Sequence, residues 1–464
     1  MLNLGRKALE ASSQQGVAFC ESRIQRRIVT RIILNHGHYK QVTYGIERGV
    51  GVRILYRNAW GFCSSTRLNP RSVTETCRKA VQLSRSLSHH VKEDVILSEE
   101  PVVREEIRQK VTNPPSKIDI GEKMKLTCEL YREVRGINQH VVNAEIRYED
   151  FEIDEVLATS EGTELISRRV GLSVGIDAVA KSGEKMVSCS ERTGGIGGFE
   201  IVDKDKLLTS ARSAAARSLE LLGGKTAPSG RFTVITDPKL TGVFAHEAIG
   251  HACEADAIVA EESILRGKLG NKVGSDLVTI CDDSTVPNGW GSQEYDAEGV
   301  RTRNRTLVEK GIMTSLILDR KSAGKLGTRS NGGARTQSYE YPPIVRMSNT
   351  YVQPGEENLE ELLEDIDYGI LLKGSRGGAV DVAQGIFQFN AEEARLIEKG
   401  KTTIPLLNVS MSGLILETLS NVSGVSDDFE LSIGTCGKSG QSVPVGDGGP
   451  FLRIKDVVVG GKVG

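Results

Sequence analysis

A chain of 464 residues exceeds one ordinary hydrophobic core, so two to three domains are expected. Its 59 Lys and Arg nearly balance its 61 Asp and Glu, and a formal charge of −2 offers nucleic acid or an anionic membrane no electrostatic handle. No apolar run approaches the ~18 residues of a membrane span, and the amino terminus lacks the apolar core of a signal peptide, which predicts a soluble cytoplasmic protein.

The first 15 residues read as a short amphipathic helix. Residues 17–65 then alternate as strands, and Asn69-Pro70 supplies an N-cap and first-turn pair for a helix to about Ser88. Residues 89–115 are charged, end in Pro114-Pro115 and read as a linker, with His89 and His90 as solvated loop residues. The theme recurs as a helix over 121–135, strands over 140–189 and a helix over 204–222. That similar order hints at a duplication without a residue-level repeat. Gly223-Gly224 ends the last helix, and 227–230 (Ala-Pro-Ser-Gly) breaks the chain. Two domains are therefore predicted, 1–225 and 226–464. The fold class expected is α+β, with an amino-terminal mixed sheet carrying packed helices. The carboxy-terminal domain is expected to hold a curved or barrel-like, antiparallel-rich sheet, because its strand-like runs lie too close together for crossover helices. Helices are expected there near 356–365 and 412–422, and the tail from Pro450 reads as a final strand.

The second domain opens on a strand, residues 231–236, followed by DPKLTGVFAHEAIGHACEAD. Asp237-Pro238 starts a helix whose apolar face carries Leu240, Val243 and Phe244. On it lie His246, Glu247 and His251 in the order His-Glu-x-x-x-His, a pattern whose chance frequency here is on the order of 0.01. Two imidazoles can hold Zn²⁺, and a carboxylate beside the first can take a proton from water on the metal. Histidines five apart sit about 140° apart on a regular helix, so a π-type bulge or a helix end near Gly250 is required to bring them together. The plainer reading is two hydrogen-bonded histidines on a buried helix.

A catalytic zinc takes three protein ligands. By type, Cys253, Glu254, Asp256, Cys281, Asp282, Asp283 and Cys436 are all candidates for the third, and spacing does not choose among them. The eight cysteines show no C-x-x-C spacing and read as reduced thiols. Cys281 sits in an apolar run suited to the core, whereas Cys436 lies among Gly434, Gly437 and Gly440.

Four segments in order, HEAIGHACEAD, GKLGNKVGS, RMSNTYVQPG and CGKSGQSVPVGDGGP, resemble the TldD/PmbA family, once called modulators of DNA gyrase. The resemblance covers nearly the whole chain. In that family the TldD-type subunit carries His-Glu-x-x-x-His and the TldE/PmbA-type partner lacks it, so this chain resembles the catalytic type. The resemblance implies a zinc-dependent peptidase that hydrolyses short, extended or unfolded peptides in a heterodimer with a TldE/PmbA-like partner. It implies His246, His251 and Cys436 as metal ligands and Glu247 as general base. Residues 330–335 (Ser-Asn-Gly-Gly-Ala-Arg) match the family's corresponding segment only loosely. Two rivals stand beside this reading: a zinc amidase acting on a small molecule or blocked terminus, and a modulator that binds without catalysis.

Overall fold

The computed structural model describes residues 1–13 and 15–461. The amino-terminal helix is Leu2–Ser13, and residue 14 of the segment expected as helix lies outside the described residues. The alternation of the first half becomes two long antiparallel strands, Phe19–Asn35 and His38–Tyr56, followed by Ala59–Ser65. The far edge of Phe19–Asn35 pairs antiparallel with Val141–Thr159, which pairs in turn with Glu164–Ser182, and that with Lys185–Ile196. The order helix, three strands, helix thus occurs twice in one seven-stranded sheet. The stretch expected as a linker also contributes a strand, Arg104–Arg108, which runs parallel to Glu164–Ser182. Charged alternation (REEIR) hid it, because an edge strand facing water needs little apolar content.

Side chains alternate across this sheet. Cys20, Ile24, Ile32 and Leu34 face the helices and are buried beneath them. The opposite face carries Val29, Phe151, Ile153 and Ile196, which pack around Trp290 of the second half. Arg23 and Gln25 share this second face, so one side of the sheet is an apolar core and the other a partly charged contact.

Where a curved or barrel-like sheet is expected in the second half, the described residues form no closed barrel. That half holds two larger open sheets and a two-stranded ribbon. The ten-stranded sheet runs from Gly378–Asp381 at one end to Lys225–Thr226 at the other, is mostly antiparallel, and includes a parallel pair of Gly230–Thr236 with Tyr368–Lys373. The six-stranded sheet centres on Ile280–Asp283 and Asn349–Val352, with the hairpin Glu430–Lys438 and Gln441–Gly449 at one end. Runs that read as single strands divide between elements: Ile344–Val345 and Asn349–Val352 belong to different sheets. The helix expected over 412–422 is only Ile415–Ser420, with strands Val409–Leu414 and Val422–Val425 on either side. That near 356–365 is Leu359–Glu364, started by an Asn358–Glu361 capping box. The tail forms the strand Leu452–Gly461.

Between the two larger sheets lies the helix that carries the motif. Leu240, Phe244, Ala245, Ala248, Ile249 and Ala252 share one core with Ile370 and Phe387 of the larger sheet and with Ile280 and Val445 of the smaller. A helix apolar on nearly every side is held from both sides, which fixes its rotation. Among the described residues no helix is long and apolar enough to cross a membrane.

Candidate metal centre

Asp237 starts the motif helix, its carboxylate accepting from the Leu240 N–H at 2.9 Å, and Pro238 fills the first turn. The α-helix runs only over Pro238–Phe244; Ala245–Gly250 is a π-turn and His251–Cys253 a 3-10 turn. The His251 N–H donates to the carbonyl of His246, five residues back, which is the bond that defines a π-turn. The extra residue in the turn brings the two rings together, with centroids 5.1 Å apart and planes near perpendicular.

Gly250 itself has ordinary helical angles (φ −57°, ψ −53°), so its conformational freedom is not what permits the turn. A Cβ there would run into the sulfur of Met347, which is fully buried. Gly242 likewise lets the helix lie against the backbone of Asp447 and Gly448. The Gly250→Val variant is expected to fold with a lower Tm, losing about 1–3 kcal/mol as Met347 is displaced. An unchanged Tm would show that Met347 moves freely.

The third group arrives from the hairpin strand Glu430–Lys438. Cys436 Sγ lies 3.5 Å from His251 Nε2, and one ligand atom from each of His246, His251 and Cys436 lies within 4.8 Å of the others. Burial raises the Cys436 thiol, but the two imidazoles beside it stabilise its charge, and the net effect brings it down to about 5. Burial lowers His251, yet the adjoining Glu254 carboxylate and Cys436 carry it up to about 9. Burial likewise opposes charge on His246, and Asp447 and Cys436 raise it well above the usual histidine value. The same mutual contacts that draw the thiol down thus hold the two imidazoles up.

Each histidine is backed by a carboxylate. His251 Nδ1 lies 2.8 Å from Glu254, which is buried and also accepts from Lys438 Nζ at 3.0 Å. Lys438 reaches Asp256 as well, at 2.7 Å and 2.8 Å. His246 Nδ1 lies 2.6 Å from Asp447 Oδ1, but neither atom has an aligned hydrogen bond, so the contact is one of charge rather than of direction. Arg346, fully buried, donates to the carbonyls of Cys436 and Gln441 and pins the hairpin. Glu247 stands apart, its side chain 37% exposed and its carboxylate 3.9 Å from His251 Nε2.

The other candidates for a third ligand go elsewhere. Cys253 is fully buried in the core, and burial raises its thiol above the usual range. Cys281 is also buried and accepts from Gln353. Asp282 pairs with Arg305 and accepts from Ser348 and Thr350, while Asp283 accepts from Thr285. Asp256 binds Lys438, and Glu254 stands behind His251. His89 and His90 are exposed. The sequence reading missed Asp447, Lys438 and Arg346 as supports. For the first two the signal was present, since both lie in the glycine-rich segment that carries Cys436.

Two imidazoles and a thiol that ionises well below neutrality form a borderline-soft donor set suited to Zn²⁺, and Nδ1–carboxylate backing is the usual outer arrangement around such ligands. The donors present fit the ion. Replacing Glu254 by Gln is expected to weaken zinc binding about 10–100-fold with the fold intact, read by competition with a chelator. Unchanged affinity would leave Glu254 as packing only.

The chain matches PmbA/TldA metallopeptidase domain 1 over residues 20–84, the central domain over 113–222 and the C-terminal domain over 229–461. A protein named as a metalloprotease in Methanothermobacter thermautotrophicus is 42% identical, with 96% of each chain aligned. A zinc metalloprotease TldD homolog of Saccharolobus solfataricus is 30% identical over 98% of this chain and all of its own length. In three dimensions TldE from Thermococcus kodakarensis superposes with a TM-score of 0.80 at 17% identity, covering 99% of both chains. A solved Thermotoga maritima protein gives 0.81 at 21%, again with 99% of both. These two likenesses speak for the fold alone. From the three domain matches and the full-length relatives, the chain belongs to the TldD/PmbA metallopeptidase family.

Proposed function

We propose that this protein is a zinc-dependent peptidase acting on short, extended or unfolded peptides, and that it is the catalytic subunit of a pair with a TldE/PmbA-like partner. The observation that carries the reading is the convergence of His246, His251 and Cys436 beside the half-exposed carboxylate of Glu247. Relatives named metalloproteases support the activity, and the full-length likeness to TldE supports a partner of the same architecture. The division of labour follows the boundary proposed near residue 226, with the metal ligands and the base all in 226–464.

In this reading His246, His251 and Cys436 would hold the ion, and zinc bound there would supply Lewis acidity toward a water and a peptide carbonyl. Glu247 accepts the proton of the attacking water and hands it to the leaving amine. Glu254 turns the His251 imidazole toward the trio, Asp447 supplies a negative charge beside His246, and Lys438 holds Glu254 in place. A thiolate donates more charge than a third imidazole would, which tempers the Lewis acidity of the site. An extended peptide binds by pairing its backbone with a strand edge or with glycine-rich loops, a mode that favours unfolded chains over any one sequence.

The test is to purify the chain with and without its TldE-like partner, measure bound metal, and assay both on a library of unstructured peptides. Zinc near one per chain and hydrolysis that needs the partner are expected. A metal-loaded pair that cleaves no peptide would overturn the reading, and full activity in the partner-free chain would remove the partner from it.

A further inference from the structure

Two edges of the seven-stranded sheet are built in contrasting ways. One is the short strand Arg104–Arg108, whose Arg104, Glu105, Glu106 and Arg108 are exposed. Charge on a short edge keeps a foreign strand from pairing with it. The other edge lacks that protection over much of its length. His38–Tyr56 pairs on one side with Phe19–Asn35, but on its other side Ala59–Ser65 covers only Val50–Tyr56. Among the described residues, 38–48 meet no strand on that side, which leaves about 35 Å of backbone donors and acceptors open.

The shielding stops at a definite point. The Tyr339 ring and the Ser65 carbonyl close over Gly49, where a side chain would find no room. Beyond it Tyr39, Val42, Tyr44 and Ile46 are between 37% and 53% exposed. Val42, Tyr44 and Ile46 stand opposite Ile32, Thr30 and Ile28 of the neighbouring strand, and so share a face with those buried residues. The helix Ile120–Gly136 covers Ile32, and its Lys123 reaches Thr30 at 3.0 Å. It also meets Tyr39, whose hydroxyl donates to the Met124 carbonyl at 2.8 Å, but leaves Val42, Tyr44 and Ile46 uncovered.

An apolar row beside an open edge calls for an apolar row on the strand that completes it. Charge narrows the occupant further. Residues 38–48 hold Lys40, Glu47 and Arg48, too mixed a set to select a strongly acidic or basic partner. A second copy of the same edge meets both requirements. About a two-fold axis through Tyr44 the two edges run antiparallel. Val42 then stands opposite the other copy's Ile46, Tyr44 opposite Tyr44 and Gln41 opposite Glu47. The like-charged Lys40 and Arg48 fall at the two ends, where both are exposed. No proline interrupts residues 38–56.

We propose that residues 38–48 form an interface between two copies of this chain, joined edge to edge so that one sheet runs through the dimer. The proposal is independent of the peptidase reading, since it uses neither the metal ligands nor Glu247.

The test is the mass of the full-length chain, measured by sedimentation across a wide range of concentration. The wild type is expected to be a dimer. Tyr44→Lys and Tyr44→Glu each place like charges directly across the axis and should weaken the dimer about tenfold or more. Tyr44 is 53% exposed and contributes little to the core, so Tm should hold in both variants. Mixing the two variants should restore the dimer, because opposite charges then meet, and Glu105→Lys on the other edge should leave it intact. A monomeric wild type, a dimer indifferent to both substitutions, or variants that fail to recover on mixing would overturn the interface. So would a chain that pairs only with a TldE-like partner and loses it on Tyr44→Lys, since the edge would then belong to that partner.

Discussion

Replacing Glu247 by Gln is expected to lower kcat for peptide hydrolysis by about 10²–10⁴-fold, the usual contribution of a positioned base. Zinc content and Tm should stay at wild-type levels. The amide keeps the size of the side chain and its place on the π-turn but loses the ability to take a proton. Glu247 suits the role because it differs from the other carboxylates nearby. Glu254 is buried against His251 and Lys438, and Asp447 is drawn against His246, whereas the Glu247 side chain is partly open at 3.9 Å from His251 Nε2. It can therefore meet a substrate without releasing a ligand. Metal analysis beside single-turnover rates separates the outcomes. A wild-type rate would remove Glu247 from the mechanism, and loss of zinc would make it a ligand or a support instead.

The legibility of this site in the sequence divides along physical lines. The Asp237-Pro238 start is a local signal, because a cap and a first-turn proline act on their own neighbours. The spacing of His246 and His251 called for a departure from regular helix, and the turn present is a π-turn over Ala245–Gly250. The role of Gly250 was not legible, since Met347, which occupies its missing side chain, lies almost a hundred residues away. In the same way, nothing local separated Cys436 from Cys281 or Glu254. Only the pairing that carries the hairpin Glu430–Lys438 to the motif helix brings its thiol to His251. That the second half forms no closed barrel among the described residues was not legible for a related reason. Short apolar runs reveal strands, but their assignment to one sheet or two depends on long-range register, as with Ile344–Val345 and Asn349–Val352.

Cys436→Ser is expected to reduce zinc affinity by more than the roughly 10–100-fold typical of an outer-shell loss, while Cys253→Ser and Cys281→Ser leave it near wild type. The thiol of Cys436 is brought down to about 5, so at neutral pH it presents a thiolate with no proton to displace. Serine offers a neutral hydroxyl instead. His251 behaves oppositely, since with a pKa raised to about 9 it must lose a proton before it can bind the ion. Between pH 5 and 9 wild-type zinc affinity should therefore rise with pH, by about tenfold per unit for each imidazole proton released. Above about 9 the His251 contribution levels off, and below about 5 protonation of Cys436 should steepen the loss. Chelator competition across this range, run in parallel on the three cysteine variants, reads both effects. An affinity that stayed flat from pH 6 to 8, or a Cys436→Ser protein that held zinc as tightly as Cys281→Ser, would mean that the ion is not held by this trio.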